Sequence, residues 1–227
     1  MRAQANIMLQ KLQRFWNAPY LNKLYSLAIF YSKIKGILLY RILFEEFGER
    51  SYILRPLLIL NPGHIRIGER VSIGPGIRLE VVRSDSSKVP SLSIESDTNI
   101  EQNVHIVCHS RIRIGRNVSV TGNCCIVDVT HPYSNVHDLV KIGGRIEDDD
   151  SFVDIGDGSF IGFGSVILPN VRIGVHVVIG ANSVVTADVP DYSVAAGAPA
   201  IVLKRYDWEK QVWVTVTHPQ LVRAEKS

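Results

Sequence analysis

From Ile155 onward an aliphatic residue falls at every sixth position: Ile155, Ile161, Ile167, Ile173, Ile179 and Val185. Glycine follows four of the six, at Gly156, Gly162, Gly174 and Gly180, and a small or β-branched residue stands four places after each: Ser159, Ser165, Val171, Val177, Ser183 and Val189. A period of six is neither the 3.6 of a helix nor the simple alternation of a strand. It describes one short strand plus one tight turn, with the aliphatic side chain inward and glycine supplying the unusual turn dihedrals. Three such units close a triangular coil, and stacked coils bury an aliphatic column that no single unit could bury alone. Strands of an ordinary sandwich would drift in spacing, because their turns recur at about 8–12 residues.

Earlier segments keep the same beat, with Ile67, Ile73 and Leu79, then Ile94, Ile100 and Ile106, then Ile114, Val120 and Ile126. Two residues are inserted between Ile106 and Ile114, and a polar stretch, VVRSDSSKVPS, fills Val81 to Ser91. The largest break is the 28 residues between Ile126 and Ile155, which contain DVTHPYSNVHD, Asp128 to Asp138. A tight turn needs no such length, and an excursion of this size within a repeat is usually functional. The expected organisation is all-β: a helical segment at 1–60, a β-helix at 61–205 with a loop at 128–154, and a tail at 206–227 carrying a short strand in QVWVTV.

The chain of 227 residues is 46% hydrophobic, enough for one substantial core. Its net charge of +3 is unevenly spread: residues 1–41 hold seven Lys or Arg and no Asp or Glu, so the remainder is net acidic. Basic residues interleaved with Leu, Ile, Tyr, Phe and Trp suit amphipathic helices, broken near Pro19, that cap the first coil, pack on a partner or rest on an anionic membrane. Nothing in this pattern requires nucleic acid. The longest uncharged run there, Leu24 to Ser32, is well short of the ~20 residues of a spanning helix. A cytoplasmic protein is expected, with peripheral contact at the inner face of the membrane open to it. Three cysteines, Cys108, Cys124 and Cys125, without paired spacing fit reduced thiols that fill core space.

The run IGDGSFIGFGSVILPNVRIGVHVVIGANSVVTADVPDYSVAAGAPA resembles the hexapeptide-repeat acyltransferases, and the resemblance spans about residues 64–205. Within them it is most similar to the galactoside, maltose and polysaccharide O-acetyltransferases, through Thr130-His131-Pro132, Ile155 to Gly162, and Ala195 to Ala200. The resemblance implies a left-handed parallel β-helix, a hand that general crossover rules would not give. It also implies acetyl-CoA as co-substrate, a homotrimer with active sites between subunits, and direct transfer in a ternary complex rather than through an acyl-enzyme. Carbonic anhydrases of the same fold need three zinc histidines, and His105 and His109, four apart, do not sit side by side in a β-helix. No metal is expected.

Acetyl transfer to a hydroxyl needs a base, and an imidazole with an ordinary pKa near ~6.5 suits the task. His131 is expected in that role. Asp128 is the nearest acid to orient its other nitrogen, with Asp148, Asp149, Asp150 and Asp154 as rivals. By resemblance the backbone N–H of Phe163 serves the oxyanion, a donor whose loss typically costs ~2.7–4 kcal/mol. Asn103 matches an acceptor-contacting position, although an asparagine in a repeat turn has a purely structural use too, and Cys108-His109 replace an acidic pair of the sugar transferases. Phe160 stands where tryptophan is usual and would line the thioester slot or pack in the core. Gly162, Gly180, Ala181 and Thr186 match positions along which coenzyme A runs, and Lys204 and Arg205 offer charge to its phosphates. The expected reaction is O-acetylation of a sugar in a surface polysaccharide or its lipid-linked precursor. N-acetylation of a nucleotide-linked amino sugar and a non-enzymatic scaffold are the alternatives.

Overall fold

The computed structural model describes residues 10, 13, 16, 17, 19–82, 89–146 and 150–217. Short strands wind into three parallel sheets, each visited once per coil. On the first sheet Phe47, Ile67, Ile94, Ile114, Ile155 and Ile173 stand in register. The second stacks Ile53, Ile73, Ile100, Val120, Ile161 and Ile179, and the third Ile59, Leu79, Ile106, Ile126, Ile167 and Val185. Apart from Phe47 and Ile59, every one of these side chains is at most 1% exposed. Each contributes about 1.5–3 kcal/mol of burial, so the six-residue beat is the core itself.

The small residue four places on is equally buried and stitches neighbouring coils. Ser159 Oγ donates to the Gly174 carbonyl at 2.9 Å and accepts from Val177 N–H at 3.0 Å, and Ser165 Oγ donates to the Gly180 carbonyl at 3.0 Å. Cys124 occupies the corresponding place one coil earlier, with its Sγ 3.2 Å from the Gly162 carbonyl. It fills a core position.

Two boundaries differ from expectation. The strands Glu46–Phe47, Tyr52–Ile53 and Leu58–Leu60 already form a coil paired with the next, so the stack begins at Glu46 rather than 61. At the other end the strand Ala200–Asp207 runs antiparallel to Ser193–Gly197, and Val212–Thr215 adds outside it, so the sheet continues past 205. The helix α1, Tyr20–Lys35, leads through a π-turn, Gly36–Tyr40, into a last turn whose Tyr40, Phe44 and Phe47 rings meet at 5.3–5.4 Å. That aromatic cluster covers the first coil. Most of the expected helical segment before Pro19, including its apolar Leu9, Leu12 and Phe15, lies outside the described residues.

The three breaks of the repeat fall at one corner, where the third sheet hands over to the first: between Val81 and Ser91, between Cys108 and Arg111, and between Val127 and Phe152. This corner is the loop edge. The corner between the second and third sheets, where Gly162 and Gly180 turn, is the glycine edge. The third sheet lies between them.

Candidate active site

His131 is exposed on the 128–151 loop, and its Nδ1 lies 2.7 Å from the Arg145 carbonyl oxygen. A carbonyl only accepts, so Nδ1 carries the proton and Nε2 presents its lone pair. The tautomer needed of a general base is therefore set by the main chain.

Asp128 does not orient it. The Asp128 carboxylate is fully buried and accepts from the N–H groups of His109 at 2.5 Å, Ser110 at 2.9 Å and Arg111 at 2.7 Å. It seals the two-residue insertion of the preceding coil, whose N–H groups have no ladder partner at the corner. Burial pushes its carboxyl above the ordinary carboxylate range, against the lowering effect of those three donors. Beside it, burial first and the Asp128 charge second push the Cys108 thiol far up, which makes it a poor nucleophile. Among the rivals, Asp154 pairs with Arg113 at 3.1 Å and Asp150 is exposed, whereas Asp148 and Asp149 lie outside the described residues.

Arg145 organises the loop. Its guanidinium donates to the carbonyls of Val140 at 2.7 Å, Asn135 at 3.0 Å and Asp138 at 2.8 Å, and faces the Asp138 carboxylate at 3.2 Å. One planar fork thus holds three carbonyls of the loop while the same residue's carbonyl holds the imidazole. Sequence reasoning missed it. The available signal was that Arg145 is the single arginine of the loop.

The remaining expected residues fall on other parts of the prism. Asn103, Gly162, Phe163, Gly180 and Ala181 all lie on the glycine edge, spread over coils spaced about 4.8 Å apart. Asn103 has φ 56° at a left-handed turn position with its Oδ1 against Gly76, a role asparagine fills without any ligand. Gly162 has a packing reason, since a Cβ there would lie 2.6 Å from Ala181 N in the next coil. The N–H groups of Phe163 and Ala181 donate to no protein acceptor among the described residues. Phe160 points outward from the second sheet, 42% exposed, and so is not a core residue. Thr186 is exposed at the loop edge, across the third sheet from Ala181. Lys204 and Arg205 are both exposed but adjacent in one strand, so they face opposite sides and do not form a single clamp. Among the described residues no group of three or more His, Cys, Asp or Glu is placed to hold a metal ion.

A repeating parallel prism, a loop that presents His131 and the outward N–H groups of Phe163 and Ala181 make up the candidate site. A family model described as bacterial transferase hexapeptide (six repeats) matches residues 152–187. An Escherichia coli protein named "Putative lipopolysaccharide biosynthesis O-acetyl transferase WbbJ" is 30% identical over 198 residues, 85% of this chain and 96% of its own. The galactoside O-acetyltransferase of Lactococcus lactis is 33% identical over 178 residues, 75% of this chain and 71% of its own. Of solved structures, the N-acyltransferase AntD of Bacillus cereus in complex with dTDP and 3-hydroxybutyryl-CoA superposes with a TM-score of 0.61 at 20% identity, covering 83% of this chain and 91% of that one. A hexapeptide-repeat acetyltransferase of Vibrio cholerae complexed with acetyl coenzyme A gives 0.52 at 22% identity, covering 84% and 91%. This chain belongs to the hexapeptide-repeat acetyltransferases, and its fold is the left-handed parallel β-helix.

Proposed function

We propose that the protein transfers an acetyl group from acetyl-CoA to a sugar hydroxyl of a surface polysaccharide or its lipid-linked precursor. The observation that carries this reading is the His131 Nδ1 contact with the Arg145 carbonyl, which leaves Nε2 unprotonated and open to an acceptor. The names of the two relatives above, both O-acetyltransferases, favour a hydroxyl over an amine. In the reaction Nε2 takes the hydroxyl proton as the oxygen attacks the thioester carbon. The tetrahedral oxyanion is met by the Phe163 N–H. On collapse the C–S bond breaks, and the imidazolium returns its proton to the departing thiolate.

Base and oxyanion donor sit on opposite edges of the third sheet in one chain. A threefold assembly would bring the loop edge of one subunit to the glycine edge of the next, completing each site between two copies. Coenzyme A would then lie along the glycine edge, its pantetheine amides meeting unpaired N–H groups such as that of Ala181, with one of Lys204 and Arg205 toward its phosphates and Thr186 contributed from the loop edge of the neighbouring copy.

Mixed assemblies test this. Phe163→Pro removes the N–H at a turn that tolerates proline, because Gly74-Pro75-Gly76 makes the equivalent turn and Gly76 and Gly164 share φ of 75° and 71°. His131→Ala and Phe163→Pro should each abolish acetyl-CoA-dependent thiol release. Their equal mixture, co-refolded, should regain activity at about a quarter of the sites. No recovery would reject a site shared between subunits. Offering amino-sugar and hydroxyl acceptors side by side separates N- from O-transfer. Unchanged transfer by His131→Ala would reject the mechanism.

A further inference from the structure

The helix α1, Tyr20–Lys35, is docked the wrong way round for a helix that merely covers a core. Toward the body it turns Ala28, Ser32 and Gly36, and a Cβ on Gly36 would come within 2.9 Å of the Phe47 ring. Away from the body it turns Tyr20, Leu24, Leu27, Tyr31 and Ile34, which are 74%, 45%, 52%, 68% and 37% exposed. At 100° per residue these five fall within an arc of about 80°, while Leu21, Tyr25 and Phe30, 75%, 55% and 62% exposed, stand outside it. Lys23 and Lys35 flank that arc on either side. Among the described residues Lys23, Lys33 and Lys35 pair with no carboxylate, and each lies over an aromatic ring instead, at 5.8, 5.5 and 5.0 Å.

We infer that this face is a membrane-surface anchor that lies flat on an anionic lipid bilayer, its Leu and Tyr side chains at the acyl boundary and the flanking Lys23 and Lys35 toward the headgroups. The charge pattern decides against a second copy of the same helix as occupant. Residues 1–41 hold no Asp or Glu, so a homotypic seam would set lysine against lysine. Crossing the membrane is not an option for this helix either: among the described residues none is long and apolar enough. Exposed Leu, Phe and Tyr side chains, with Lys23 and Lys35 beside them and no acidic residue in the segment, fit an interfacial site on anionic lipid.

The anchor sits beside the first coil, and the His131 loop leaves after the fourth, which puts it roughly 15–20 Å along the axis at about 4.8 Å per coil. That height suits a glycan still attached to a membrane lipid. Only this last step rests on the proposed reaction; lipid binding itself does not.

The test is co-sedimentation of the full-length protein with phosphatidylcholine vesicles, with and without about 30% phosphatidylglycerol. Binding should require the anionic lipid and weaken at least tenfold at about 0.5 M salt. Trp16, 70% exposed, should shift its emission to shorter wavelength on binding. Lys23→Gln combined with Lys35→Gln should weaken binding about 30-fold, and Leu24→Asn combined with Leu27→Asn should abolish it, with acetyl transfer to a soluble acceptor retained by both. Absence of binding, or equal binding to neutral vesicles, would overturn the inference. So would dissociation of the oligomer in the Leu24→Asn, Leu27→Asn variant, which would assign the face to a second copy.

Discussion

Replacing Arg145 with alanine probes the link between loop order and base orientation. The guanidinium side chain is only 12% exposed and makes three hydrogen bonds to carbonyls at 2.7–3.0 Å. Hydrogen bonds to a charged group are worth about 1.5–3 kcal/mol when both partners stay dry. Here the freed carbonyls of Asn135, Asp138 and Val140 belong to a surface loop and can turn to water, so roughly 0.7–1 kcal/mol each is the appropriate share. The sum, about 2–3 kcal/mol, is lost from the closed loop and not from the aliphatic columns. If His131 is productive only when its Nδ1 meets the Arg145 carbonyl, kcat should fall about 30- to 150-fold. The KM for acetyl-CoA should stay within about twofold and the thermal midpoint within about 2 °C, because neither the glycine edge nor the core is touched. Arg145→Lys, which keeps the charge but loses the fork, should recover part of kcat. Thiol release at saturating acetyl-CoA, beside a thermal melt, reads all three quantities. A kcat within about threefold of the parent, or a parallel collapse of the melting temperature, would refute the reasoning.

Other perturbations separate structural from chemical roles. Asp128→Ala strands three N–H groups and should cost about 2–4 kcal/mol in denaturant unfolding; a loss of kcat with unchanged stability would restore Asp128 to the base. Gly162→Ala places a Cβ 2.6 Å from Ala181 N and should destabilise by about 1–3 kcal/mol, whereas Phe163→Pro one residue on should melt close to the parent. Of the three free thiols, buried Cys108 and Cys124 have their ionisation pushed up by burial, so an aromatic disulfide reagent at mildly alkaline pH should reach only the half-exposed Cys125, and that slowly. Unfolding should release all three.

The six-residue beat determined the parallel coils, the inward columns and the corner at which the long loop leaves, because each unit's geometry is local: one inward side chain, one turn and one buried small residue. Even the first coil was legible in Phe47, Ile53 and Ile59, although only Phe47 carries the following glycine and the surrounding helix signals masked the rest. Resemblance of the Thr-His-Pro motif singled out His131. What partnered it was not readable, since Asp128 is three residues away in the chain and yet serves the coil beneath, while Arg145, fourteen residues away, closes the loop onto the imidazole. Which edge each glycine and N–H occupies, and that α1 faces outward, likewise follow only from the closed prism. Periodicity encodes what a residue does relative to its own repeat; contacts across a loop or between edges depend on how distant turns add up in space, and only the tertiary structure performs that sum.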